Sequence, residues 1–219
     1  MKKTIFIVMS VLLCIAAVGV IGKMYNNTND AESNKITTNV DDRIDNTEKT
    51  IIDVTGLMPY RSESEMILYS DIIICGHVSE IKESNWSNPD YVRGGNVRNI
   101  LQTDIVVDID SNMYGYTDSK SVVVRINKGE DENTVFCDEN TPDFTLGENV
   151  LLFLARDDSD VKTDEDYYVL VAKKQSKYVL PDNEAMTYAY SYDNQTIDLT
   201  SLQQKIIDEK IANPGFKQK

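Results

Sequence analysis

The sequence predicts a mainly β fold: a small antiparallel barrel or sandwich with a short N-terminal helix and a C-terminal helix, preceded by one transmembrane or signal helix. Three observations lead there. Short runs of β-branched and aromatic residues recur between residues 71 and 180, each bounded by Gly, Pro or Asn. No long helical pattern separates them, which argues against a parallel sheet with crossover helices. The first 22 residues, by contrast, form one apolar run behind a basic start. The whole chain has 219 residues, room for a targeting segment plus one domain or at most two small ones.

In residues 1–22 the only charges are Lys2 and Lys3, and sixteen of the 22 belong to the hydrophobic set. A basic start before an apolar core is a secretory or anchoring signal. The run from Thr4 to Gly22 is 19 residues long. A cleaved signal core is about 7–15 residues, whereas a spanning helix needs about 17–25. Length therefore favours an uncleaved signal-anchor. Cleavage after Gly22 is one alternative. Lipidation at Cys14 is the other, and Leu13 stands where that chemistry wants a small residue. In each case the bulk of the chain is extracytoplasmic: single-pass at the cell membrane, or secreted after cleavage. Residues 23–50 carry no sustained apolar periodicity and read as a disordered polar linker.

The β domain is expected over 51–192, where 11 of the 12 tyrosines fall. Ser62 followed by Glu65 is a capping-box pattern and opens a short helix through Met66, Leu68 and Tyr69. Strands follow at Asp71–Ile81, Thr103–Ile109 and Ser121–Ile126. Val150–Ala155 reads as a strand buried on both faces. Tyr167–Ala172 and Lys177–Leu180 complete the set. Gly76, inside the first strand, fits a bulge or sharp bend. Residues 193–219 are expected to form a C-terminal helix and tail. Thr200 with Gln203 is a second capping-box pattern. Leu199, Leu202, Ile206, Ile207 and Ile211 give an apolar stripe, and Asn213-Pro214-Gly215 ends it. The stripe should pack on the barrel.

Composition excludes several functions. Lys plus Arg is 22 and Asp plus Glu is 36, for a net charge of −14. Removing the two lysines of residues 1–22 leaves 20 − 36 = −16 on the exported part. Nothing offsets phosphate repulsion, so nucleic acid is not a partner. One His and three Cys rule out a disulfide scaffold and a Cys/His zinc site. Cys75, in a strand, and Cys137, in an acidic loop, could form one disulfide; the alternative is that they behave as small hydrophobes. Asp108-x-Asp110-x-Asn112 matches the first half of a calcium loop. It carries Met113 where Gly is needed and Ser119 where Glu is needed, so no metal is expected there. His77 reads as an ordinary strand residue. Residues 157–166 hold six carboxylates in ten positions and read as a solvated hairpin loop. No nucleophile, zinc or phosphate-loop motif occurs, so no catalytic residues and no cofactor are expected.

Ser70-Asp71-Ile72-Ile73-Ile74-Cys75-Gly76-His77-Val78 resembles the opening strand of a netrin-like module, the fold of the tissue inhibitors of metalloproteases. Gly147-Glu148-Asn149-Val150-Leu151-Leu152-Phe153-Leu154 resembles a later strand of that module. The resemblance covers about residues 62–180, and the chain is similar to uncharacterised exported or membrane-anchored proteins of Gram-positive bacteria. It implies a five-stranded Greek-key barrel of the OB (oligonucleotide/oligosaccharide-binding) type. Metalloprotease inhibition does not carry over. The inhibitors present a Cys at a free N-terminus, and this chain has none to present.

The loop Glu83–Arg98 is the best binding candidate. It holds the only Trp, Trp86, together with Tyr91, Arg93 and Arg98. Trp, Tyr and Arg are the residue types enriched at binding hot spots, and OB-type barrels bind with their strand 2–3 face and adjoining loops. The bland alternative is that Trp86 folds back as a lid on the barrel end. The expectation is a membrane-tethered extracytoplasmic binding module without catalytic activity. Its partner would be a protein or carbohydrate at the cell surface. A carboxylate-based hydrolase and a protease-inhibitor-like domain are the alternatives.

Overall fold

Along the chain the elements are β1 (Thr50–Val54), α1 (Glu63–Tyr69), β2 (Ile72–Ile81), β3 (Asn85–Trp86), β4 (Leu101–Tyr114), β5 (Ser121–Ile126) and β6 (Gly129–Glu130). There follow β7 (Thr134–Asp138), β8 (Asn149–Arg156), β9 (Tyr168–Leu170), a 3-10 turn (Lys173–Ser176), β10 (Lys177–Val179), β11 (Tyr188–Ser191), β12 (Thr196–Asp198) and α2 (Leu199–Ala212). The computed structural model describes residues 48–88, 99–159, 162–181 and 187–216. The expected anchor at 1–22 and the linker up to residue 47 lie outside the described residues. Among the described residues no helix is long and apolar enough to cross a membrane.

The fold is mainly β and contains a closed five-stranded barrel. The order β8-β2-β4-β5-β9 returns to its start because β9 also pairs with β8. The barrel pairs are antiparallel except β5 with β9, which is parallel. A second parallel pair, β1 with β7, belongs to a separate three-stranded sheet, β1-β7-β6. An all-antiparallel expectation is corrected at these two pairs. Strands β10, β11 and β12 extend the barrel sheet outward from β8.

Period-2 alternation explains why β2 and β8 read as continuous apolar runs. Ile72, Ile74, Val150, Leu152 and Leu154 face the barrel interior, with Ile105, Val107, Val122 and Val124 from β4 and β5. The intervening Ile73, Leu151 and Phe153 face a second core beneath the helices, closed by Met66, Ile67, Leu202 and Ile206. Strands buried on both faces lose the polar alternation that a one-sided sheet shows. The ladder of β2 on β4 shifts register between Cys75 and Gly76, the bulge that Gly76 foretold. A Cβ on Gly76 would overlap the carbonyl oxygen of Asp108.

Both helices form where expected. Ser62 caps α1 as a complete capping box: its hydroxyl accepts from the Glu65 N–H and the Glu65 carboxylate accepts from the Ser62 N–H. The second cap is corrected. Asp198 occupies it, and its Oδ1 accepts from the Thr200 N–H at 2.9 Å and the Thr200 hydroxyl at 2.6 Å. Thr200 is thus inside the helix, and its pairing with Gln203 does not cap it. Leu202 and Ile206 are buried against the second core and Leu199 packs partly buried against it, but Ile207 and Ile211 are exposed, so the buried stripe is narrower than read. The span 193–219 is more than helix and tail, since β12 pairs with β11 across a turn in which Asn194 has φ 61°. Cys137 lies in β7, not in a loop, and both Cys75 and Cys137 are free thiols. Burial pushes the Cys75 thiol up from its ordinary value, which keeps it protonated and unreactive.

Candidate functional site: a cleft beside Trp86

Trp86 is placed by a two-residue strand. Asn85 and Trp86 pair with Gln102 and Leu101 at the start of β4. The indole is half-buried, and its Nε1 donates to Asp131 Oδ2 at 2.8 Å. Asp131 also accepts from the backbone N–H groups of Asn133 and Thr134. The Asn133 N–H, then the indole, hold its carboxyl below the usual carboxylate range. One residue before β3, the Ser84 hydroxyl shares a hydrogen bond with Thr103 Oγ1 at 2.8 Å and accepts from the Glu130 N–H at 3.1 Å. The segment leading to Trp86 is therefore fastened to both β4 and β6. The indole is thereby held in place as a wall of the cleft.

The cleft beside it has a volume of about 360 Å³. Four parts of the chain build it: Trp86 and Ser87 from the β2–β4 connection, Gln102 and Asp104 from β4, Arg125 from β5, and Thr163 with Glu165 from the β8–β9 connection. Arg125 organises the floor. Its Nε and Nη2 donate to the two Asp104 oxygens at 2.7 and 2.9 Å, a bidentate pair between cross-strand neighbours. Nη2 also reaches Glu165 Oε2 at 2.5 Å, and Nη1 reaches Thr163 Oγ1 at 3.0 Å. The guanidinium lies over the Tyr167 ring, 4.1 Å from its centroid. Asp104, and to a lesser extent Glu165, raise Arg125 above its ordinary value in spite of burial. Arg125 in turn holds Glu165 below the carboxylate range.

The acidic connection joins antiparallel β8 and β9 and is exposed at Asp158, Ser159 and residues 162–166, as expected of a solvated hairpin loop, while some of its carboxylates are engaged. Burial opposes ionisation of Asp157, but the Tyr167 hydroxyl, donating at 2.7 Å, and the Ser159 N–H outweigh it and keep the carboxyl low. Asp166 pairs with Arg156, and Glu165 with Arg125. Two of the carboxylates of this segment are thus paired with separate cations, and a third is held by a hydroxyl and a backbone N–H.

Of the candidate site residues, the structure places Trp86 in the cleft. Tyr91, Arg93 and Arg98 lie outside the described residues. The two ends of that span are tied together beside the indole: Ser87 N–H donates to Ile100 O at 2.8 Å, and Asn88 N–H to Asn99 Oδ1 at 2.9 Å. The sequence reading missed Gln102, Asp104, Arg125 and Glu165. The signal for Asp104 and Arg125 was present, because the alternation in Thr103–Ile109 and Ser121–Ile126 puts both on the outer face of adjacent strands. Nothing local marked Glu165 among its acidic neighbours. His77 lies between Asp110, whose Oδ1 is 3.3 Å from Nδ1, and Asp108, whose Oδ2 is 3.7 Å from Nε2. Its two nitrogens face different carboxylates, so the three groups do not converge on a point. Among the described residues no group of three or more His, Cys, Asp or Glu is arranged to hold a metal. No family model matches the chain, and no curated protein matches it.

Proposed function

We propose that the protein is a membrane-tethered extracytoplasmic binding module. In this reading its barrel is of the OB, netrin-like type and takes a protein or carbohydrate partner at the cleft beside Trp86. The observation that carries the reading is the composition of that cleft. Counted along the chain, the barrel strands stand in the order 1-2-3-5-4, with the third and fifth parallel. Barrels of the OB type bind on the face of strands 2 and 3, between the loops that follow strands 1 and 4. The cleft draws its walls from those four places. An aromatic wall and a floor of planar hydrogen-bonding groups suit recognition. Glu165, one of the carboxylates lining this cleft, is held low by Arg125, and a general acid needs the opposite shift, so Glu165 does not supply one.

The test is proximity crosslinking with the full-length chain in intact host cells. One dominant crosslinked partner, lost with Trp86→Ala and with Arg93→Ala while the protein stays folded, is the expected result. Protease treatment of the product then separates a protein from a glycan. A crosslinking pattern unchanged by either substitution overturns the reading, and so does a chain that fractionates with the cytosol.

A further inference from the structure

A second cleft, of about 380 Å³, adjoins the first, since Gln102 and Arg125 line both. Its volume lies at the lower end of the range of small-molecule sites, about 300–1,000 Å³. Its floor is apolar, built from Ile126, Pro142, Ala155 and residues Val169 to Val171. Its rim carries charges of both signs, with Asp157 and Asp158 beside its cations. Four cations line it: Arg61, Arg125, Arg156 and Lys173.

Three of these already have partners. Arg125 is held by Asp104 and Glu165, and Arg156 by Asp166. Lys173 Nζ lies 2.6 Å from Asp138 Oδ2. Arg61 is held more loosely. Its guanidinium stacks on the Tyr69 ring, 4.1 Å from the centroid, and it acts on the Glu65 carboxylate through its charge, but among the described residues no ion pair within hydrogen-bonding reach and no side-chain hydrogen bond occupies its N–H edge. Stacking occupies the face of the guanidinium and leaves its N–H edge for a planar acceptor. The lining also carries Asp157 and Asp158. Asp157 is engaged by the Tyr167 hydroxyl and the Ser159 N–H. Together the two acids oppose a ligand that brings more than one negative charge.

We propose that this cleft binds a monovalent organic anion, namely a carboxylate carried on an apolar body. The Arg61 fork takes the carboxylate in bidentate fashion, and the floor of Val169, Leu170 and Val171 takes the apolar group. Such a ligand is either a free apolar acid or the C-terminal residue of a peptide. The proposal stands apart from the Trp86 reading and does not need a membrane tether.

The test is isothermal titration of the purified full-length chain with N-acetyl-L-phenylalanine, its neutral amide, N-acetyl-alanyl-phenylalanine and inorganic phosphate. The expected result is that the acid binds at least about tenfold more tightly than the amide and that phosphate does not displace it. Arg61→Gln removes the preference for acid over amide, and Arg61→Lys, which keeps the charge but loses the fork, retains part of it. Tighter binding of the dipeptide acid assigns the site to peptide ends, and tighter binding of the single residue to free acids. Equal affinity for acid and amide overturns the proposal in the unaltered chain, whatever the variants do. So does phosphate binding as tight as that of the acid, or an absence of binding up to about 10 mM, where only a few kcal/mol of affinity would register.

Discussion

Arg125 shows how one side chain can both hold a strand pair together and shape a binding cleft. It is 10% exposed, and Asp104, its bidentate partner, is 20% exposed. Removing one member of this half-buried ion pair leaves the other charge without compensation, which costs at most about 3 kcal/mol, the lower end for fully buried pairs. Arg125→Met is therefore expected to lower the urea midpoint strongly. Arg125→Met combined with Asp104→Leu should recover much of the loss, because an apolar pair of similar volume replaces a buried ion pair at little cost. A double variant as unstable as the single one would show that Arg125 acts through Tyr167 or Glu165 instead. Asp138 gives a pH prediction at the same scale. Burial opposes its ionisation, but the Lys173 ammonium at 2.6 Å and the Asn140 N–H at 2.9 Å outweigh it and hold the carboxyl below its ordinary value. A carboxylate depressed in the folded state contributes stability above its unfolded value of about 3.9, and that contribution is lost as pH falls through the folded value. Urea midpoints followed downward from about pH 6 should fall across the carboxylate range, and Asp138→Asn should flatten that slope while lowering stability at neutral pH. An unchanged acid slope in Asp138→Asn would assign the acid sensitivity to other carboxylates.

Gly76 joins element to sequence most directly. A Cβ there meets the backbone oxygen of Asp108, which cannot rotate away as a side chain would. Gly76→Ala should cost about 3 kcal/mol, the upper end for overpacking, and amide exchange should quicken in β2 and β4 together. A neutral Gly76→Ala would mean that the bulge absorbs the methyl by sliding register. This glycine was legible because it interrupts a run of β-branched residues. The capping box at Ser62 was legible for a similar reason: two side chains three residues apart are enough to specify it. Strands β1 and β7 were not legible. Thr50–Val54 is short and exposed along its whole length, and Thr134–Asp138 is flanked by acidic residues, so neither shows one-sided alternation. Their pairing is fixed by contacts 84 residues apart, Thr50 with Thr134 among them, which no local pattern encodes. The cleft divides the same way. Trp86 was found because it is the only Trp, whereas Glu165 enters the site only because barrel closure carries the β8–β9 connection over to Arg125.

At the scale of the whole molecule, the two cores share two strands and therefore one fate. Ile73 and Phe153 face the helices while Ile72 and Ile74, one residue away, face the barrel interior. Displacing β2 or β8 to satisfy one core would expose the other. The helices are thus part of the barrel's stability rather than an appendage to it, although they touch its outer surface only. Leu202 sits fully buried at the centre of the α2 contact. Leu202→Ala removes about 2–5 kcal/mol by lost transfer energy and the cavity left behind. Because the strands are shared, that loss should shift the whole unfolding transition and not melt α2 by itself. Trp86 belongs to neither core cluster, so its fluorescence reports from outside both. Far-UV circular dichroism, dominated here by strands and helices throughout the domain, reports from within them. In urea the two signals are expected to give one coincident midpoint in the unaltered chain and one coincident, lower midpoint in Leu202→Ala. A dichroism loss that precedes the fluorescence change in the variant would mean that α2 leaves while the barrel and the Trp86 cleft persist. The shared strands would then transmit less than their double burial implies.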